Sequence, residues 1–258
     1  MDNKVILISI DGMRPDGFLQ CGHPFAQQML EEWSYTLTAR SVSPSITLPC
    51  HTSIFYSVPP TRHGIFTNLY TPPVRPVKGL AESLAEAGKI NAAFYNWETM
   101  RHVWRSETMK YTTLIDAYAE ENTDAALTDC AIRLIQAREP DFVYLYMVET
   151  DDKGGHDHGW MTPEYLKQLA NAVGCVQKVF EAAKERYHIL VTADHGGHDR
   201  THGTDSPEDM TIPMFFWGKG FEGGRQLQNL TLLDITPTIA DLMGLPMVRE
   251  WEGKSVLR

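Results

Sequence analysis

Three apolar runs of strand length constrain this chain more than any other feature: Val5–Ile10, residues 142–148 and the run ending at Ala193. Each stops at acid, in Asp11, in Glu149-Thr150-Asp151-Asp152 and in Asp194. β-Branched and aliphatic residues without alternation suit strands buried on both faces, which occur in parallel sheets covered by helices. Helical patterns fall between them, at 25–33, 80–88, 124–138, 163–187 and 232–243, and further strands at 91–95 and 211–217. In 163–187 the residues Leu166, Leu169, Val173, Val176, Phe180 and Ala183 form an apolar stripe that packs on the sheet. The alternation predicts an α/β fold, a mainly parallel central sheet flanked by helices on both faces, with the strands' carboxyl ends along one edge. Residues 1–258 read as a single catalytic domain, and the aperiodic stretch 99–114 as a small lid or a plain surface connection.

A formal charge of −10 and the lack of any Lys/Arg run argue against a nucleic-acid-binding face. Cys21, Cys50, Cys130 and Cys175 are scattered and form no C-x-x-C pair, which favours reduced thiols over a disulfide framework. The first apolar run is interrupted at Asp11, too early for a secretory segment, and no run approaches membrane-spanning length. The expectation is a cytoplasmic protein without a membrane anchor.

The polar residues that follow the strands carry the chemistry. After Asp194 come His195, His198 and His202 among glycines, and after Asp152 come His156 and His158. With Asp11, the set Asp152, Asp194, His156, His195 and His202 offers three carboxylates and three imidazoles at one sheet edge. That is enough for two divalent cations, which would make the pocket locally positive and suited to a phosphate ester. His198, four residues before His202, is a competing ligand. Thr47-Leu48-Pro49 places a hydroxyl at a proline-started helix, where it reads either as an N-cap or as a nucleophile beside an anion-stabilising helix terminus.

These motifs resemble the alkaline phosphatase superfamily, and more closely its nucleotide pyrophosphatase/phosphodiesterase branch. The resemblance runs through Asp11-Gly12, Thr47-Leu48-Pro49, His63-Gly64 to Asn68, Asp152-x-x-x-His156, Asp194-His195-Gly196 and His202-Gly203. It implies an alkaline-phosphatase-like domain with two divalent metal ions, zinc first and manganese second. Asp152, His156 and His202 would hold one metal, and Asp11, Thr47, Asp194 and His195 the other. Thr47 would be the nucleophile, and Asn68 would bond a phosphate oxygen beside the Leu48 N–H. The substrate implied is a small-molecule phosphate ester or nucleotide, cleaved through a phosphothreonine; a phosphomonoesterase, phosphonate hydrolase or phosphosugar mutase is the alternative. A catalytically idle metal-binding scaffold is the rival from another class. The sequence departs from the family pattern in having Thr150-Asp151 and Trp160 near positions where the family carries prolines, and in its short length, which implies few substrate-selecting insertions. The sulfatase signature C/S-x-P-x-R is not met by Thr47-Leu48-Pro49-Cys50-His51. Lys153, His158, His198 and Arg200 read as supporting or solvated residues, and Phe66, Tyr70 and Trp97 as rim or core aromatics that could stack on a base.

Overall fold

The uninterrupted apolar runs occupy the middle of the sheet, where a strand has a neighbour on each side and helices over it. β1 (Val5–Ile10) lies between β5 (Phe142–Met147) and β6 (His188–Thr192), parallel to both, and all three are buried along their whole length. The structure, a computed structural model, describes residues 3–73 and 76–257. Its other strands are β2 (Ser34–Arg40), β3 (Asn91–Tyr95), β4 (Tyr111–Leu114) and β7 (Thr211–Trp217). Among the described residues they form one seven-stranded sheet in the order β2-β7-β6-β1-β5-β3-β4. β3 and β4 extend the parallel pairing, whereas β7 runs antiparallel to both its neighbours.

Two helical layers close the core. Phe142, Tyr144 and Tyr146 share one face of β5 and meet the Thr47–Tyr56 helix, with the Phe55 ring 5.1 Å from Tyr144 and the His51 ring 5.1 Å from Tyr146. The other layer contains the paired Thr123–Arg138 and Pro163–Ala183 helices. There Phe180 packs 5.3 Å from Trp33 and 4.9 Å from Trp217. Thr162 starts the longer helix, its hydroxyl accepting the Tyr165 N–H, and the helix ends at Ala183 rather than 187.

Two parts of the sheet depart from the expectation. β2 was not apparent because Ser34-Tyr35-Thr36-Leu37-Thr38-Ala39-Arg40 alternates weakly, and its pairing with β7 shifts register between Thr36 and Ala39. Within residues 99–114, expected to be a small lid or a surface connection, Met100, Val103 and Trp104 are buried, and Tyr111–Leu114 is the edge strand β4. Their aromatic residues belong to the core, which is why no surface period is visible. Among the described residues, no helix is long and apolar enough to cross a membrane.

Candidate metal centre

The register of β1 with its neighbours, Ile10 opposite Met147 and Ser9 opposite Thr192, brings the carboxyl ends of three strands side by side. Asp11 and Asp194 leave β1 and β6 there, fully buried. Each has one anchored oxygen. Tyr146 OH donates to Asp11 Oδ2, and the Gly12 N–H donates to Asp194 Oδ1 at 3.2 Å. The other oxygens, Asp11 Oδ1 and Asp194 Oδ2, are buried with no hydrogen-bond donor and face His195 Nε2 at 3.3 and 3.2 Å. His195 Nδ1 lies 2.8 Å from the Gly196 carbonyl, an acceptor only, so Nδ1 carries the hydrogen and Nε2 presents its lone pair to the carboxylates.

The second group repeats this design around Asp151. Its Oδ2 lies 3.4 Å from His156 Nε2, and its Oδ1, again buried without a donor, lies 3.9 Å from His202 Nε2. His156 Nδ1 donates to the Arg200 carbonyl at 3.0 Å and His202 Nδ1 to the Ser45 carbonyl at 2.8 Å, leaving both Nε2 atoms as lone-pair donors toward Asp151. The His195 and His202 rings stack with centroids 3.8 Å apart. The two candidate groups are Asp11, Asp194, His195 and Asp151, His195, His202; within each, the ligand atoms lie within 4.8 Å of one another, and His156 lies outside both, joining the second only through its 3.4 Å approach to Asp151 Oδ2. His195 belongs to both, so cations held there would be neighbours.

Asp151 stands where the sequence pointed to Asp152. Residues Thr150–His156 form a π-helical turn, in which residues five apart share a face, whereas an α-helical turn would pair residues four apart. The π turn thus brings Asp151, not Asp152, over His156. Asp152 is only half-buried, opens onto a cavity lined also by Tyr118, Glu121, Lys153 and Asp157, and is absent from both groups. His198 also falls outside: its Nδ1 pairs with Asp209 Oδ1 at 2.7 Å, which leaves the place to His202.

The electrostatics fit a divalent cation. Burial, then the charges of Asp194 and Asp151, pushes the Asp11 carboxyl well above the usual range. Burial and the charges of Asp194 and Asp152 do the same to Asp151, and burial raises Asp194. Burial lowers His195 and His202 to about 3, keeping both neutral. Two carboxylates about 4 Å apart repel by about 4 kcal/mol at an effective dielectric constant near 20, so ionising them all calls for positive charge among them. Unprotonated imidazoles cannot supply it. Orphaned carboxylate oxygens and imidazole lone pairs that converge in this way form a donor set of the kind that holds a divalent metal.

Thr47 is the first residue of its helix rather than the cap: Ile46 holds the N-cap position, with no side-chain cap bond. The hydroxyl, buried, points to His195 Nε2 at 3.2 Å and, because Nε2 is unprotonated, donates to it. Asn68, exposed on the loop after Gly64, reaches back so that its Oδ1 accepts the Leu48 N–H at 3.0 Å. Sequence reasoning overlooked His51, one turn beyond Thr47. It is buried between Ser9 Oγ (2.9 Å), the Thr47 carbonyl (2.8 Å) and Asp194 Oδ2 (3.5 Å); its i+4 spacing from Thr47 was the available signal. Lys153 pairs with Glu149, His158 is exposed, Tyr70 stacks on His102 at 4.6 Å, Phe66 is exposed and Trp97 is half-buried against the core.

The chain is similar to known proteins in sequence and in fold. A family model for type I phosphodiesterase / nucleotide pyrophosphatase matches residues 5–210. Human ectonucleotide pyrophosphatase/phosphodiesterase family member 1 is 25% identical over 218 residues, 74% of this chain and 23% of its own length. The 2,3-bisphosphoglycerate-independent phosphoglycerate mutase 2 of Methanosarcina acetivorans is 30% identical over 138 residues, 51% of this chain and 26% of its own. The chain thus spans about a quarter of the length of these curated relatives. An inactive variant of murine ectonucleotide pyrophosphatase / phosphodiesterase 5, in complex with AMP, has the same fold at a TM-score of 0.80 and 14% identity, over 94% of this chain and 95% of that one. The chain belongs to the type I phosphodiesterase / nucleotide pyrophosphatase family, a branch of the alkaline phosphatase superfamily.

Proposed function

We propose that this chain hydrolyses phosphate esters, phosphodiesters or nucleotide pyrophosphates foremost, with two divalent cations and a transient phosphothreonine at Thr47. The observation that carries the reading is the Thr47 hydroxyl, free of any capping role and directed at His195 between two metal-type donor groups. One group would comprise Asp11, Asp194, His195 and Thr47, the other Asp151, His156 and His202. Mixed carboxylate and imidazole donors favour zinc, with manganese second. Bound cations would supply Lewis-acid stabilisation of the attacking and leaving oxygens.

The chain's own residues perform the rest. Thr47 Oγ1 forms a bond to phosphorus as the bond to the leaving oxygen breaks, and the threonine proton passes to solvent water. The departing alkoxide takes a proton from water. A water molecule then attacks the phosphothreonine, releasing phosphate or a phosphomonoester and restoring the hydroxyl. A phosphoryl oxygen replaces Asn68 Oδ1 as acceptor of the Leu48 N–H, while the Asn68 amide nitrogen donates to it. His195, held at about 3, is too weak a base to take the proton near neutrality and serves as a ligand. A nucleotide-like substrate accords with the AMP complex of the murine relative, and the scattered cysteines support a cytoplasmic setting.

Aryl phosphodiesters, phosphomonoesters, phosphonates, sulfates and dinucleotides, each assayed with zinc and with manganese, test the substrate class. Thr47→Ala should lower turnover by several orders of magnitude without a capping loss, and Thr47→Ser should keep substantial activity. Acid quench of wild type should trap a phosphorylated Thr47 peptide. Turnover by Thr47→Ala close to wild type would remove the covalent route, and inactivity across the panel would leave the idle scaffold.

A further inference from the structure

Trp160 occupies a place where the family resemblance led to an expectation of proline, and the site as described gives it no role. Its indole is buried. Nε1–H donates to the Gly12 carbonyl at 2.9 Å, and Tyr165 OH donates to the same carbonyl at 2.9 Å. The indole stands edge-on to His156, with centroids 5.4 Å apart at 84°, and 6.0 Å from His202. A Cβ on Gly155 would lie 2.6 Å from its six-membered ring, and one on Gly197 closer still. One side chain therefore touches all three segments that carry the carboxylates: Asp11-Gly12, the turn from Asp151 to His156, and the loop from Asp194 to His202.

The contacts are not evenly shared. Asp11 and Asp194 are already placed by β1 and β6, and Arg14 Nη1 braces the Gly197 carbonyl at 2.9 Å. The turn bearing Asp151 and His156 lies beyond the end of β5, and at Gly12 a side chain would collide with Asp151 Oδ1 at 2.9 Å. The closeness of Asp151 to Gly12 has to be held against a turn that no strand fixes. A rigid indole, hydrogen-bonded to the Gly12 carbonyl and lying where a Cβ on Gly155 would strike its ring, does this, beside Tyr165, which donates to the same carbonyl and lies against Gly154.

We infer that Trp160 is the positioning residue for the second donor group, setting Asp151, His156 and His202 at their distance from the strand-end group. The inference rests on the reading of both groups as cation sites. Zinc is titrated into metal-free wild type, Trp160→Phe, Trp160→Ala and the control Trp33→Phe, in competition with a chromophoric chelator. Thermal midpoints are recorded for each protein. Trp33 is as buried but packs with Phe25, Phe180 and Trp217.

Wild type should bind two zinc ions. Trp160→Phe, which keeps a ring but loses the Nε1–H, should weaken one of the two by about tenfold, within the range of outer supports at metal sites, and leave the other within about threefold. Trp160→Ala should weaken that same ion further. Trp33→Phe should lower the midpoint while both affinities hold. Equal weakening of both ions in Trp160→Phe, or none, would overturn the inference, and this variant decides the matter if Trp160→Ala fails to fold. Wild type that binds no zinc would overturn the reading of the site itself, and the inference with it.

Discussion

The two donor groups present similar atoms on different supports. Asp11 and Asp194 are the residues that directly follow or nearly follow adjacent paired strands, and with His195 they are sealed from solvent. Asp151, His156 and His202 come from a π turn and a loop, and the His156 side chain is 39% exposed. Sheet register fixes where Asp11 and Asp194 leave adjacent strands, and local hydrogen bonds from Tyr146 and Gly12 then orient them. The second depends on how one turn is wound, which a change of one residue can shift.

The largest effect that sharpens this comparison is at the acidic pair of the turn. Asp151→Asn should weaken zinc binding at one of the two sites by about a hundredfold, as expected for a lost charged ligand, while Asp152→Asn should stay within about threefold of wild type. His202→Ala should follow Asp151→Asn, and His198→Ala should not. Isothermal titration at matched pH reads all four; a large loss in Asp152→Asn with none in Asp151→Asn would mean that the turn is α-helical in solution and that the spacing Asp152-x-x-x-His156 is the operative one.

What could be read from the sequence divides along the same line. Asp11, Asp194 and His195 follow uninterrupted apolar runs, and such runs can be little other than central parallel strands, so their common edge was accessible from pattern alone. Thr47 stood out as a hydroxyl at a proline-started helix and Asn68 was found through the resemblance; the fold brings Asn68 Oδ1 to the N–H of Leu48, the residue after Thr47. The capping role offered for Thr47 was wrong because helical backbone begins at Thr47 itself, one residue earlier than a cap would require. Asp151 was passed over because Asp-x-x-x-His assumes four residues per ligand pair, and nothing in Thr150-Asp151-Asp152-Lys153 announces a π turn. β2 and β4, at the two edges of the sheet, were lost to weak alternation and to aromatic residues that proved to be core.

A smaller effect concerns the buried polar bed beneath the second group. Asp124 accepts from Asn96 Nδ2 at 2.6 Å and lies beside the Glu149 N–H at the start of the turn. Burial, then the charge of Glu149, pushes its carboxyl up to about 7. A folded-state value above the unfolded one near 3.9 means that the proton is held more tightly in the fold. The stability it contributes is complete below about pH 4 and is lost as pH rises toward 7. Asp124→Asn cannot ionise, so its thermal midpoint, measured with saturating zinc, should gain on wild type as pH rises from about 4 to about 7 and hold its lead above that. Parallel curves would show that Asp124 is not the group responsible.

The central claim is that two cations sit side by side at this sheet edge, one held by strand ends and one by the π turn. Anomalous scattering from a zinc-loaded crystal tests it most directly. The account predicts two peaks per chain, one coordinated by Asp11, Asp194 and His195 and the other by Asp151, His156 and His202. A single peak after saturation, or a second peak ligated by Asp152 with Asp151 turned away, would contradict it.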